Sequence, residues 1–185
     1  MLYFVSNVEM SRLIVFVLFS MLSTWGWTQS LVVSTHPIYL IAKQVTDGVE
    51  QPVLLLKDQS GHDVQLTPAH RKAIQDASLV IWLGKSHEAP LEKMLSSNRK
   101  AIALLDSGIL TILPQRSLRG VALANTMDSH VWLEPNNAVR IAFFIATLRS
   151  QQNPENKNKY MSNAKNFAQQ MLQASQIYES TNKAK

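Results

Sequence analysis

The sequence predicts an α/β fold, a parallel sheet with helices on both faces, followed by a long helix. Three observations carry this. After Ser30, short apolar segments alternate with proline-opened, helix-patterned ones, the order of a parallel sheet covered on both sides. The strand segments are continuous apolar runs, as strands buried on both faces are. Beyond Asn153-Pro154, apolar residues from Tyr160 to Tyr178 recur three and four apart, which is helical spacing.

The elements follow in order. Leu31 to Thr35 reads as a short buried strand, and Pro37 opens a helix through Val45 that Gly48 ends. Pro52 to Leu56 is the second strand, and Asp58 to Gly61 is turn chemistry. Thr67-Pro68 reads as an N-cap and first helical residue, starting a helix through Gln75. Leu79 to Leu83 is the third strand, closed by Gly84. A helix spans Pro90 to Ser97, Ala101 to Leu105 is the fourth strand, and Thr111 to Leu113 is a candidate short extra one. Pro135 starts a helix with apolar residues at Ala138, Ile141, Ala142, Ile145 and Leu148. The last helix runs from Pro154 to Tyr178, and the polar stretch Ser180 to Lys185 reads as a tail.

A chain of 185 residues with 46% hydrophobic and 17% charged residues is globular and large enough to bury a core. The net charge of +5 comes from scattered lysines and arginines, with no dense basic run, so it reads as a solvated face and no nucleic-acid partner is expected. At the amino terminus, Arg12 precedes the apolar run Leu13 to Phe19, and Thr28-Gln29-Ser30 offers small residues where a signal peptidase cleaves. Residues 1–30 are therefore expected to be a cleaved signal peptide, with the product exported and no membrane insertion afterwards. The apolar run is short for a membrane span, although an amino-terminal anchor is the competing reading. Met10-Ser11-Arg12 would make a better signal start than Met1. With no cysteine, any bound metal is held by nitrogen and oxygen.

The chemistry concentrates in two loops, Asp58-Gln59-Ser60-Gly61-His62-Asp63 and Asp128-Ser129-His130-Val131-Trp132-Leu133-Glu134-Pro135. Each leads into a proline-started helix and pairs an imidazole with a nearby carboxylate, which suggests half of a divalent-metal site. Asp63 and Asp128 have two readings. They orient the imidazoles, or they bond their own backbone as turn residues. His36, His62 and His87 each follow a strand within a few residues and fall on the edge where parallel sheets bind ligands. His36 and His87 are left outside the ligand set, the latter in favour of a helix-entry role. His70, beside Arg71 and Lys72, reads as solvent-facing, Trp132 as core packing, and Glu134 as a first-turn acid favouring the helix dipole.

The order of Gly61-His62-Asp63, Leu66-Thr67-Pro68, Asp76 to Gly84 and His130-Val131-Trp132-Leu133-Glu134-Pro135 resembles the periplasmic zinc- and manganese-uptake binding proteins of ABC transporters. The resemblance implies two α/β lobes joined by one long rigid helix, with the ion held between them. It assigns His62 and His130 as the metal ligands of the first lobe, and Glu88 matches the acidic residue that follows the third strand. It implies Zn²⁺ as the cargo, with Mn²⁺ open, and an ABC transporter permease as the partner. Residues 31–152 then form the amino-terminal metal-binding lobe and 153–185 the connecting helix. The second lobe is missing, so capture is expected to be impaired in a truncated chain. Gln115 to Thr126 has no histidine or acid, unlike the metal-collecting loop of many zinc-uptake members. No catalysis is expected: a metal-dependent hydrolase would need a third ligand and a tuned base, and no His-Glu-x-x-His helix occurs. A degenerate, non-binding interaction domain is the remaining alternative.

Overall fold

The structure, a computed structural model, describes residues 30–57 and 65–183. Strands β1 (Leu31–Val33), β2 (Val53–Leu54), β3 (Leu79–Trp82) and β4 (Ala101–Ala103) form one sheet in the order β2-β1-β3-β4. All three pairings are parallel, with Val32 opposite both Val53 and Val80, and Ile81 opposite Ile102. The helices are α1 (His36–Val45), α2 (Pro68–Asp76), α3 (Glu92–Leu95), α4 (Pro135–Gln152) and α5 (Lys157–Lys183). Prolines open α1, α2 and α4, and also the 3₁₀ turns Ala89–Leu91 and Pro154–Asn156. The missing proline N–H sits where a helix leaves its donors unpaired.

The strands are shorter than the apolar runs that predict them, but the ladder continues past their ends. Leu55 N and Leu56 N donate to Val33 O and Ser34 O, and Leu104 N and Leu105 N donate to Trp82 O and Leu83 O. Thr111 to Leu113 is not a strand. The Asn137 side chain from α4 takes both backbone groups of Thr111, at 2.9 and 2.8 Å, in place of a ladder partner. The expected helix from Pro90 to Ser97 is one 3₁₀ turn and one α-turn. The polar residues after Tyr178 continue α5 to Lys183, because no glycine or proline stops it. Ser180 and Thr181 bond back to Ile177 O at 2.8 Å.

Side chains alternate across the sheet. Leu31, Val33, Leu79, Ile81 and Leu83 face α1, α4 and α5 in one core, where Ile38, Ile141, Ile145 and Tyr160 are fully buried. Val32, Val80 and Trp82 face the other way, onto Ile74, Leu91 and Leu95. The first half of α5 belongs to the larger core through Tyr160 and Ala164, while Leu172, Ile177 and Tyr178 are exposed. At 27 residues the helix is about 40 Å long. Two polar devices seat it. Asn163 donates to Val45 O and Asp47 O at 3.0 and 2.9 Å, filling the carbonyls that end α1. Arg149 of α4, 1% exposed, donates to both oxygens of Glu50 at 2.7 and 2.8 Å, and Tyr160 donates to Glu50 Oε1 at 2.7 Å.

Candidate metal site

From β1 the chain turns to β2 on one side and then crosses to β3 on the other. The carboxyl ends of β1 and β3 are therefore a topological switch point, where crevices open in parallel sheets. Ser34 and Thr35 follow β1 there, both buried. Gly84 follows β3 with φ of 126°, a backbone region that side chains with a Cβ avoid. It lets the chain fold back so that the Glu88 carboxylate reaches the loop's own amides. Glu88 Oε2 accepts from Leu83 N at 2.7 Å and Gly84 N at 3.4 Å. Glu88 is fully buried, and burial pushes its carboxyl up to about 7. The nearby Ser34 hydroxyl and the two amides pull against that shift. The buried Oε1, with Ser34 Oγ and Thr35 Oγ1, makes no hydrogen bond among the described residues.

His130 lies on the loop before α4, just ahead of the 3₁₀ turn Val131–Leu133. Asp128 holds it twice through one oxygen. Oδ1 accepts from His130 N at 3.0 Å and lies 2.8 Å from His130 Nδ1. Asp128 is thus both a turn residue and an imidazole orienter. Those two contacts hold its carboxyl below the ordinary value. His87, only 5% exposed, stands across from it. Its Nδ1 is 2.7 Å from Ser129 Oγ. The rings of His87 and His130 are 5.5 Å apart and nearly perpendicular, and Trp132 meets them edge-on at 5.6 and 5.3 Å. Trp132 is partly buried against the larger core, so it packs behind the loop and braces both imidazoles.

The two predicted ligands fare differently. His130 stands at the switch-point edge with 46% of its side chain exposed. His62 and Asp63 lie outside the described residues, in the connection between β2 and α2. His36 is exposed as the first residue of α1 and tilts against Tyr39. His70 is not simply solvent-facing. Its Nδ1 accepts from Thr67 N while its own N–H donates to Thr67 Oγ1, both at 3.3 Å, a reciprocal cap of α2. Glu134 caps α4, accepting from Asn136 N at 3.1 Å and Asn137 N at 2.7 Å. Its partial burial pushes the carboxyl up, but these bonds and Arg140 leave it below its ordinary value. Glu134→Ala should cost about 1 kcal/mol as a lost N-cap, read as a lower urea midpoint. Sequence reading sets His87 aside and does not single out Ser129. The only signal is that His87 follows a strand at the same edge. Among the described residues, no three His, Asp or Glu side chains converge as a metal cage.

The parallel sheet, its switch-point edge and the facing imidazoles of His87 and His130 define an α/β unit that carries a long helix. The family profile described as "ZnuA: Zinc-uptake complex component A periplasmic" matches residues 31–185. The chain belongs to this family of periplasmic zinc-uptake components, a family of transport proteins and not of enzymes. It is 31% identical over 168 residues to the high-affinity zinc uptake system protein ZnuA of Yersinia pestis, covering 78% of this chain and 53% of that protein. The ZnuA protein of Brucella abortus is 26% identical, with 79% and 56% covered. The chain thus spans about half the length of the relatives it matches. Three solved structures share the fold. The metal-dependent lipoprotein YcdH of Bacillus subtilis superposes with a TM-score of 0.68 at 23% identity, covering 84% of this chain and 56% of that one. The Zn(II)-bound ZnuA-like domain of Streptococcus pneumoniae AdcA gives 0.66 at 22%, covering 81% and 54%. A Mn-bound periplasmic metal-binding protein of Candidatus Liberibacter asiaticus gives 0.62 at 22%, covering 76% and 52%. No described helix is long and apolar enough to cross a membrane.

Proposed function

We propose that this chain captures a divalent cation in the periplasm, Zn²⁺ first and Mn²⁺ second, for delivery to an ABC transporter permease. His62 and His130 are the proposed ligands. Residues 1–30 are the proposed signal peptide, 31–152 the binding lobe and 153–185 the connecting helix. The observation that supports this most is His130 at the switch-point edge with its Nδ1 fixed by Asp128, in a chain of the zinc-uptake family. A carboxylate on the far nitrogen of a ligating imidazole sets its tautomer and aim. The absence of cysteine leaves a nitrogen and oxygen donor set, which suits Zn²⁺ and Mn²⁺.

Zinc takes about four ligands, with His nitrogen at about 2.0–2.1 Å. Two imidazoles fill half of that shell and leave the other positions to water or to further nitrogen and oxygen donors. Calorimetry on the purified chain should show about one Zn²⁺ per molecule. His62→Ala and His130→Ala should each weaken binding by at least about tenfold, and Asp128→Ala by about tenfold through the orientation it imposes. Unchanged affinity in both histidine variants would remove the site assignment.

A further inference from the structure

We infer that His87 is a further ligand of this lobe, sharing the captured cation with His130. The inference rests on the capture reading above and adds to it an imidazole from the β3 edge.

Spacing is the first argument. Two imidazoles on one tetrahedral ion, with nitrogens at about 2.0–2.1 Å, keep their ring centres about 5 Å apart. His87 and His130 are 5.5 Å apart, so an ion between them needs only a small adjustment of either ring. Preparation of the rings is the second. The loop before α4 supplies an oxygen to each Nδ1 from adjacent residues, Asp128 to His130 at 2.8 Å and Ser129 to His87 at 2.7 Å. The Asp128 carboxylate accepts from His130 Nδ1–H and so presents Nε2 to the ion; when the Ser129 hydroxyl accepts from His87 Nδ1–H, His87 presents Nε2 in the same way, the orientation by a neighbouring oxygen that ligating histidines show. Preorganisation is the third. His87 is nearly buried, and Trp132 stands edge-on to it at 5.6 Å. Little freedom remains to be lost when the ion arrives. Placement is the fourth. His87 follows β3 and His130 precedes α4, so two separate elements converge on the switch point that crevices favour.

The competing account is that His87 is an aromatic wedge that packs between His130 and Trp132. His87→Phe separates the two, because it keeps a ring for packing and removes the donor nitrogen. Zn²⁺ affinity is measured by competition with a chromophoric chelator, and Co²⁺ binding by its visible absorption. A ligand role predicts that His87→Phe weakens Zn²⁺ by about tenfold or more and changes the Co²⁺ spectrum, with circular dichroism unchanged. Wild-type affinity and spectrum in His87→Phe, together with weakened binding in His130→Ala, would overturn the His87 assignment alone. Unchanged binding in His130→Ala as well would overturn the capture reading beneath it. A ¹⁵N spectrum of the wild-type imidazoles with and without Zn²⁺ needs no variant. Movement of the His87 Nε2 resonance supports coordination, and a His87 ring that stays put while His130 shifts opposes it.

Discussion

Glu50→Ala is expected to destabilise the protein by about 3–5 kcal/mol, the usual cost of stranding one partner of a buried ion pair. Arg149 is 1% exposed and directs Nε and Nη2 at the two Glu50 oxygens. Removing the carboxylate takes away the charge that compensates a buried guanidinium, while its described contacts with Ser78 and Gln152 are to uncharged groups. It also removes the acceptor of the Tyr160 hydroxyl, so α4 and α5 lose a shared anchor. In thermal unfolding the loss should appear as a drop of roughly 10 °C or more. Replacing both partners together, Glu50→Ala with Arg149→Met, should cost less than the sum of the two single changes, because no uncompensated charge then remains. A single-variant cost below about 1 kcal/mol, the level of an exposed pair, would refute the burial argument. Tyr160 adds an alkaline signature. Burial first, and then Glu50, push its hydroxyl up to about 12 from 10.0. The folded state therefore keeps its proton longer than the unfolded chain does. That contribution is fully present below pH 10 and is lost as pH rises towards 12.

The parts of this fold that are legible in the sequence are those whose cause is local. Prolines at 37, 68 and 135 mark helix starts through a rule about one missing N–H. Apolar runs mark the strands because both faces of the sheet are covered. Where a distant side chain decides the outcome, the local reading misses it. Thr111 gives its backbone groups to Asn137, 26 residues away, and nothing in Thr111 to Leu113 announces that. Arg149 and Glu50 each look like surface charges on a helix and in a turn. Their pairing across 99 residues becomes visible only when α4 is packed on the sheet.

The site follows the same division. His130 is legible from its loop, and Asp128 from its spacing, since an Asp two residues before a His reaches both its amide and its ring. His87 escapes because its partners are Ser129 and His130, more than 40 residues downstream. Glu88 is marked by position, but its burial cannot be read. An acid in Gly84-Lys85-Ser86-His87-Glu88 looks solvated until Gly84 turns the chain inward.

That burial sets the second large effect. A carboxyl raised from its ordinary 4.5 to about 7 binds its proton more tightly in the folded state than in the unfolded one. Between pH 4.5 and about 7 the folded protein holds the extra proton, so stability falls as pH rises through that window. Glu88→Gln removes the titration and keeps an amide oxygen for Leu83 N and Gly84 N. In metal-free protein the variant should match wild type near pH 4.5 and exceed it by roughly 1–3 kcal/mol at about pH 8. Urea unfolding at both pH values measures the difference. A variant whose profile runs parallel to wild type would mean that the Glu88 carboxyl titrates alike in the folded and unfolded states. The sign matters for how the edge is built. A charged, buried carboxylate is a cost here, and what it returns at neutral pH is two bonds to the amides of the turn that carries His87. The carboxamide introduced by Glu88→Gln accepts those bonds without the charge, so the turn should hold its shape in the variant.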